Sequence, residues 1–383
     1  MGAHRHLIMC VGVLFFYVFA PEARAKLDSL TPQQWPKLMQ QARRGDHRAQ
    51  TRVAIAYERG EVVERDFSKA VEWFQQAANQ ADPIAAHNLG VMYASGSGVR
   101  LNWVEAAKWF EMAAAHGLPQ AQFNTAWLYE MGLGKPQNFA RALHLYEAAA
   151  RQGYAAAQNN LGRMYEKGMG VAEDPAMALT WYMKSAKQGN ATGQFDVGAL
   201  YWQGRGVARD FVKAAEWFQL AAKQGHARAQ TALADLYLAG WGVPRDHRAA
   251  KDWFAKAADQ GDAKAQYKLG ILYLNGLGTT PDDSLAAGWF TRAAEQGDQN
   301  AQANLAFLYE TGRGVVQDLV QAYMWRWLSV QGKASGASAK LLDLANRMDD
   351  TEVAEAKRHG SEWQAAHADR QTVRLELSPL LVD

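Results

Sequence analysis

Ten histidines and one cysteine are the side chains with which this 383-residue chain could most readily build a reactive or metal centre. Their spacing does not assemble one. His4 and His6 stand in the first ten residues, His47, His87, His116, His144, His226 and His247 are scattered, and His359 and His367 are eight apart with no His-Glu-x-x-His around them. Gly-x-Gly pairs such as Gly96-Ser97-Gly98 suggest a phosphate loop, yet no Gly-Lys-Ser/Thr follows and the pairs recur along the chain as turn glycines would. No serine has a lysine three residues later, so the serine β-lactamase signature is absent. Paired carboxylates at Asp282-Asp283 and Asp349-Asp350 fall where helices should begin, and capping accounts for them. These residues imply no catalytic group, no metal and no cofactor, and an enzyme is not expected.

The groups that remain must be positioned by something, and the first 25 residues are set apart from it. Arg5 precedes an apolar run of 14 residues from Leu7 to Ala20, then Pro21 and Ala23-Arg24-Ala25. This is the pattern of a secretory signal cleaved after Ala25; the run is short for a bilayer span. Met9 before Cys10 is too large for a lipoprotein site, so Cys10 leaves with the signal and the mature chain from Lys26 carries no thiol. A periplasmic or secreted location follows as an expectation. The net charge of +2 gives no electrostatic footprint for nucleic acid or an anionic membrane.

Past residue 45 the chain repeats. Tyr57, Tyr93, Tyr129, Tyr165, Tyr201, Tyr237, Tyr273 and Tyr309 are each 36 residues apart, as are the glycines from Gly60 to Gly312. Tryptophan falls at 73, 109, 181, 217, 253, 289 and 325, with Leu145 in the remaining copy. Each period reads as two short helices. In one copy Ala229, Leu233, Leu236 and Tyr237 share a face, Gly240 and Gly242 stop the first helix, and Asp246 caps a second that carries Ala250, Trp253, Phe254, Ala257 and Ala258. Asp66, Asn102, Asn138, Asp174, Asp210, Asp282 and Asp318 hold the capping slot of Asp246 in the other copies. The expected organisation is a signal at 1–25, a capping helix within 26–45, eight repeats over 46–333, capping helices over 334–367 and a mobile tail at 368–383.

The pattern A-x3-L-G-x2-Y-x2-G-x-G-V-x2-D-x3-A-x2-W-F-x2-A-A-x-Q-G resembles the Sel-one-like repeat (SLR) family, relatives of the tetratricopeptide repeats. The resemblance implies an all-α fold, a right-handed solenoid with a concave face lined by the first helix of each pair. It also implies an adaptor or scaffold role, in bacterial signalling or host interaction for exported members. One disulfide-rich subset of the family is linked to β-lactam binding or hydrolysis; this chain lacks the cysteine pair of that subset.

Functional information should lie at positions that the repeat leaves free. Counting the opening alanine of the first helix as one, these are the third, fourth and seventh places. The fourth holds Asn88, Asn124, Asn160 and Asn304, whose amides could clamp an extended backbone. Phe123, Trp127, Phe195, Tyr267 and Phe307 fill the third or seventh, and Trp202 stands near a turn, which is the composition of a protein-binding hot spot. Arg163 could pair with an acidic peptide. The expected partner is another protein or peptide segment held in the groove, with no nucleic acid and no membrane span. A cell-wall or β-lactam hydrolase and a structural assembly factor are the alternatives.

Overall fold

The computed structural model describes residues 30–330 and 338–377 of the chain, with side chains up to His367. The signal expected at 1–25, Cys10 and the last six residues lie outside the described residues. Among those described there are nineteen helices and no strand. The chain divides into two compact units, Met1–Gln188 and Gly189–Asp383.

The first unit begins with a lone helix, α1 (Trp35–Arg43), and continues with four helix pairs: α2 (His47–Arg59) and α3 (Phe67–Ala78), α4 (Pro83–Ser95) and α5 (Trp103–Ala115), α6 (Pro119–Met131) and α7 (Phe139–Arg151), α8 (Ala155–Lys167) and α9 (Pro175–Lys187). The second unit holds α10 (Ala191–Gln203) and α11 (Phe211–Lys223), α12 (Ala227–Ala239) and α13 (His247–Asp259), α14 (Ala263–Asn275) and α15 (Asp283–Glu295), α16 (Gln299–Thr311) and α17 (Leu319–Val330). It closes with α18 (Ser338–Ala345) and α19 (Asp350–Leu377), both packed on α17. Within each unit every helix up to α17 packs on its sequence neighbours, the arrangement of a repeat solenoid.

Local chemistry sets the helix bounds. The capping carboxylate or amide accepts from the first turn of every second helix, as Asp246 does from Arg248 and Ala249 (2.9 Å each) and Asp318 from Gln321 (2.9 Å). At the other end, Gly240 terminates α12 at φ 75°, its N–H donating to the Leu236 carbonyl. The second turn glycine is needed for a different reason: Gly98 has φ 73°, and a Cβ there would come within 2.5 Å of the Phe67 carbonyl oxygen of the preceding pair. The backbone N–H of each capping residue then donates to the carbonyl of the repeated tyrosine, for example Asp246 to Tyr237 at 3.0 Å, which closes the turn.

Packing between pairs alternates rings with small residues. Phe74, Phe110, Tyr146, Tyr182, Phe218, Phe254 and Phe290 are fully buried, and Gly90, Gly162, Gly198 and Gly270 are glycine because a Cβ would strike the facing ring. A buried glutamine ties three helices together in successive repeats. Gln158 in α8 donates to the Ala150 carbonyl at the end of α7 (3.1 Å) and accepts from Gln188 beyond α9 (2.7 Å); Gln230 with Gln260 and Gln266 with Gln296 do the same. The closing helix α19 continues to Leu377 rather than stopping near 367, since no glycine or proline interrupts the chain between those points.

Candidate protein-interaction surface

The first helix of each pair carries the residues expected to bind, and the structure sorts them by depth. The third place of these helices points into the pair. Phe123 sits against Tyr146 and Tyr154 (ring centroids 5.5 and 5.4 Å), Tyr267 against Phe290, and Phe195 is buried between Phe218 and His226, with the Arg228 guanidinium over its ring. These rings are packing residues, because the ring of the second helix lies across the third place.

The asparagines are engaged too. Asn124 is buried and its amide lies 3.0 Å from His87 Nε2 in the preceding pair. Burial pushes the His87 imidazole down to about 4, against a smaller opposing bond from Asn88, so the ring is neutral at physiological pH. Asn160 is half-buried and bonds the Tyr146 hydroxyl; Asn304, also half-buried, donates to the Asn300 carbonyl (2.8 Å) and bonds Tyr267. Asn88 is half-buried. Asn124, Asn160 and Asn304 thus bond side chains of their own or the preceding pair.

Arg163 is not a surface cation. It is buried, with Nη2 2.6 and 2.8 Å from the two oxygens of buried Glu130, which also accepts from the Tyr146 hydroxyl at 2.9 Å. Burial opposes the charged guanidinium, but the Glu130 carboxylate beside it outweighs that and holds its pKa above the usual value. Burial and the same carboxylate push the Tyr146 phenol well up. The composition carried a signal for this cluster. Tyrosine replaces phenylalanine in the ring slot at 146 and 182, and a glutamate stands 16 residues before each, Glu130 and Glu166; Tyr182 donates to Glu166 at 2.8 Å.

Three of the aromatic side chains outside the packing scheme remain open. Trp202 and Phe307 are each 38% exposed, and Trp241, 47% exposed, stacks on Phe211 at 5.4 Å. Trp127 is half-buried and tilted against Trp103 (5.9 Å). Among the described residues no group of three or more His, Cys, Asp or Glu could hold a metal ion, and no helix is long and apolar enough to cross a membrane.

The Sel1 repeat model matches eight consecutive segments, at 47–82, 83–118, 119–154, 155–190, 191–226, 227–262, 263–298 and 299–325. No curated protein matches the chain. Among solved structures, a Sel1 repeat protein from Oxalobacter formigenes is 30% identical over 81% of this chain and 90% of that one, with a TM-score of 0.63. The protein c5321, a protective antigen of uropathogenic Escherichia coli strains displaying an SLR fold, is 28% identical over 91% of this chain and 90% of its own, with a TM-score of 0.48. The eight matched segments coincide with the helix pairs α2/α3 to α16/α17, and the chain belongs to the Sel1 repeat family.

Proposed function

We propose that the protein is an exported bacterial scaffold, periplasmic or secreted, which holds a segment of a partner protein along its first helices and performs no catalysis of its own. The observation that carries this reading is the exposure of Trp202 and Phe307 on first helices at positions where the repeat demands no aromatic. Tryptophan and other aromatic side chains are the frequent anchors of protein interfaces. In the second unit Tyr267 on α14 and Asn304 on α16 are half-buried and Phe195 on α10 is buried; in the first unit Asn88, Trp127 and Asn160 are half-buried and Asn124 and Arg163 are buried. Export rests on the apolar run Leu7–Ala20 and the small residues Ala23 and Ala25.

The test is partner capture by cross-linking in the source cell with the wild type and with Trp202→Ala/Phe307→Ala. The double variant should fold normally by circular dichroism and lose roughly tenfold or more in partner recovery, as hot-spot truncation does. Full recovery with the variant would remove these two residues from the interface and sink the reading.

A further inference from the structure

The first unit also carries a concentration of positive charge on its first helices. Residues at i, i+4, i+7 and i+11 share one face of a helix. On the first helices of this unit they are Arg48, Arg52, Ile55 and Arg59 in α2; Ile84, Asn88, Val91 and Ser95 in α4; Gln120, Asn124, Trp127 and Met131 in α6; and Ala156, Asn160, Arg163 and Lys167 in α8. Ile55, Val91, Asn124 and Arg163 are buried between neighbours. What remains accessible contains four cations and no carboxylate. The cations gather at one end: α1 and α2 with the turn between them hold Lys37, Arg43, Arg44, Arg48, Arg52 and Arg59 against Asp46 and Glu58, in a chain whose total charge is +2.

Arg48 and Arg52 differ from the residues at the same places in the second unit. Asp46 is committed to capping α2 through the Ala49 N–H (3.0 Å), and Asp82 is buried, bonded to His47 and to the first turn of α4. Arg59 meets Glu61 at 3.2 Å, while no ion pair among the described residues holds Arg48 or Arg52. At the same places in the second unit, Lys264 and Lys268 both meet Asp235 (2.7 and 3.7 Å) and Arg228 lies over Phe195. On the same face of the next first helix, Ile84 of α4 is 50% exposed and Asn88 is half-buried, so the two helices together offer cations, an apolar contact and an amide.

We infer that the α1, α2 and α4 end of the first unit docks an acidic segment of the partner protein, its carboxylates on Arg48 and Arg52 and an apolar side chain on Ile84. This rests on the scaffold reading and adds the chemistry of the ligand. Charge complementarity favours a carboxylate-rich chain, and the apolar Ile84 and near-zero total charge favour a peptide over a nucleic acid.

Fluorescence anisotropy tests it, using a labelled alternating Glu-Leu peptide of about ten residues, roughly 33 Å when extended. The wild type should bind it, and a Lys-Leu peptide of equal length should not bind. Arg48→Glu/Arg52→Glu should lose about tenfold or more in affinity, and salt raised from about 50 to about 500 mM should weaken the wild type more than the variant. Absent binding, equal binding by the variant with an unchanged circular dichroism spectrum, or tighter binding of a single-stranded oligonucleotide overturns the inference. The two readings fail differently. If cross-linking recovers a partner equally from the wild type and from Arg48→Glu/Arg52→Glu, the scaffold stands and the acidic segment falls; if the wild type recovers no partner, the scaffold itself falls.

Discussion

Arg163, Glu130 and Tyr146 show how one substitution in a repeat calls for others. A guanidinium taken out of water is expensive, and here its cost is met by a two-pronged bond to a carboxylate that is itself satisfied by a phenol. The equivalent places three helix pairs further on hold Leu238, Ile271 and Phe254, all apolar. Glu130→Leu alone strands a buried cation and should destabilise the first unit by about 3–5 kcal/mol in urea denaturation. Adding Arg163→Ile and Tyr146→Phe should bring stability back to within about 1 kcal/mol of the wild type, since apolar replacements of a complete buried pair are close to neutral. A triple variant as unstable as the single one would mean that the three residues do not act as a unit.

At the scale of the element, the two kinds of turn glycine make separable demands. Gly117 has φ 81° with open space where a Cβ would go, whereas Gly98, at φ 73°, faces the Phe67 carbonyl of the neighbouring pair. Gly117→Ala should therefore cost about 1 kcal/mol for the left-handed backbone alone. Gly98→Ala adds a backbone collision and should cost roughly 2–4 kcal/mol. Equal losses in thermal melts of the two variants would show that the close approach at Gly98 is relieved by a shift of the turn. Helices, caps and turn glycines were legible in the sequence because each depends on residues within a turn or so of itself, as Asp246 depends on Arg248 and Ala249. The bonds that decide the candidate surface were not. His87 meets Asn124 at a separation of 37 residues, Arg163 meets Glu130 at 33, and Gln188 meets Gln158 at 30. None of these offsets belongs to a helical period, and without the stacking of pairs Asn124, Arg163 and Phe195 read as free polar or aromatic surface. The exposed positions of Trp202 and Phe307 were legible, because nothing in the repeat competes for them.

For the molecule as a whole, a chain of helix pairs gains stability chiefly from nearest-neighbour contacts, so an end must be closed or the last pair frays. In the second unit that closure is α18 and α19. Leu344 and Ala356 complete the buried cluster of Tyr323, Met324, Trp325 and Leu328 on α17, Trp363 meets Trp325 edge to face at 6.0 Å, and Gly360 lets α19 approach the Trp327 ring. Arg347 adds a 2.6 Å bond to Glu310 of α16. A chain ending at Val330 loses all of these and leaves two tryptophans of α17 in water, with loss of apolar burial at about 25 cal/mol per Å². Hydrogen exchange on that truncated chain should then show α16 and α17 unprotected, α14 and α15 partly weakened, and α10 to α12 close to their full-length protection, because each pair transmits instability only to the next. A uniform loss of protection from α10 to α17 would mean that the second unit unfolds as one cooperative block, and that its stability is set by the whole stack rather than by neighbours. The proposed binding role depends on that distinction, since local fraying at one end would leave Trp202 of α10 on a folded helix while α16, which carries Phe307, unfolds.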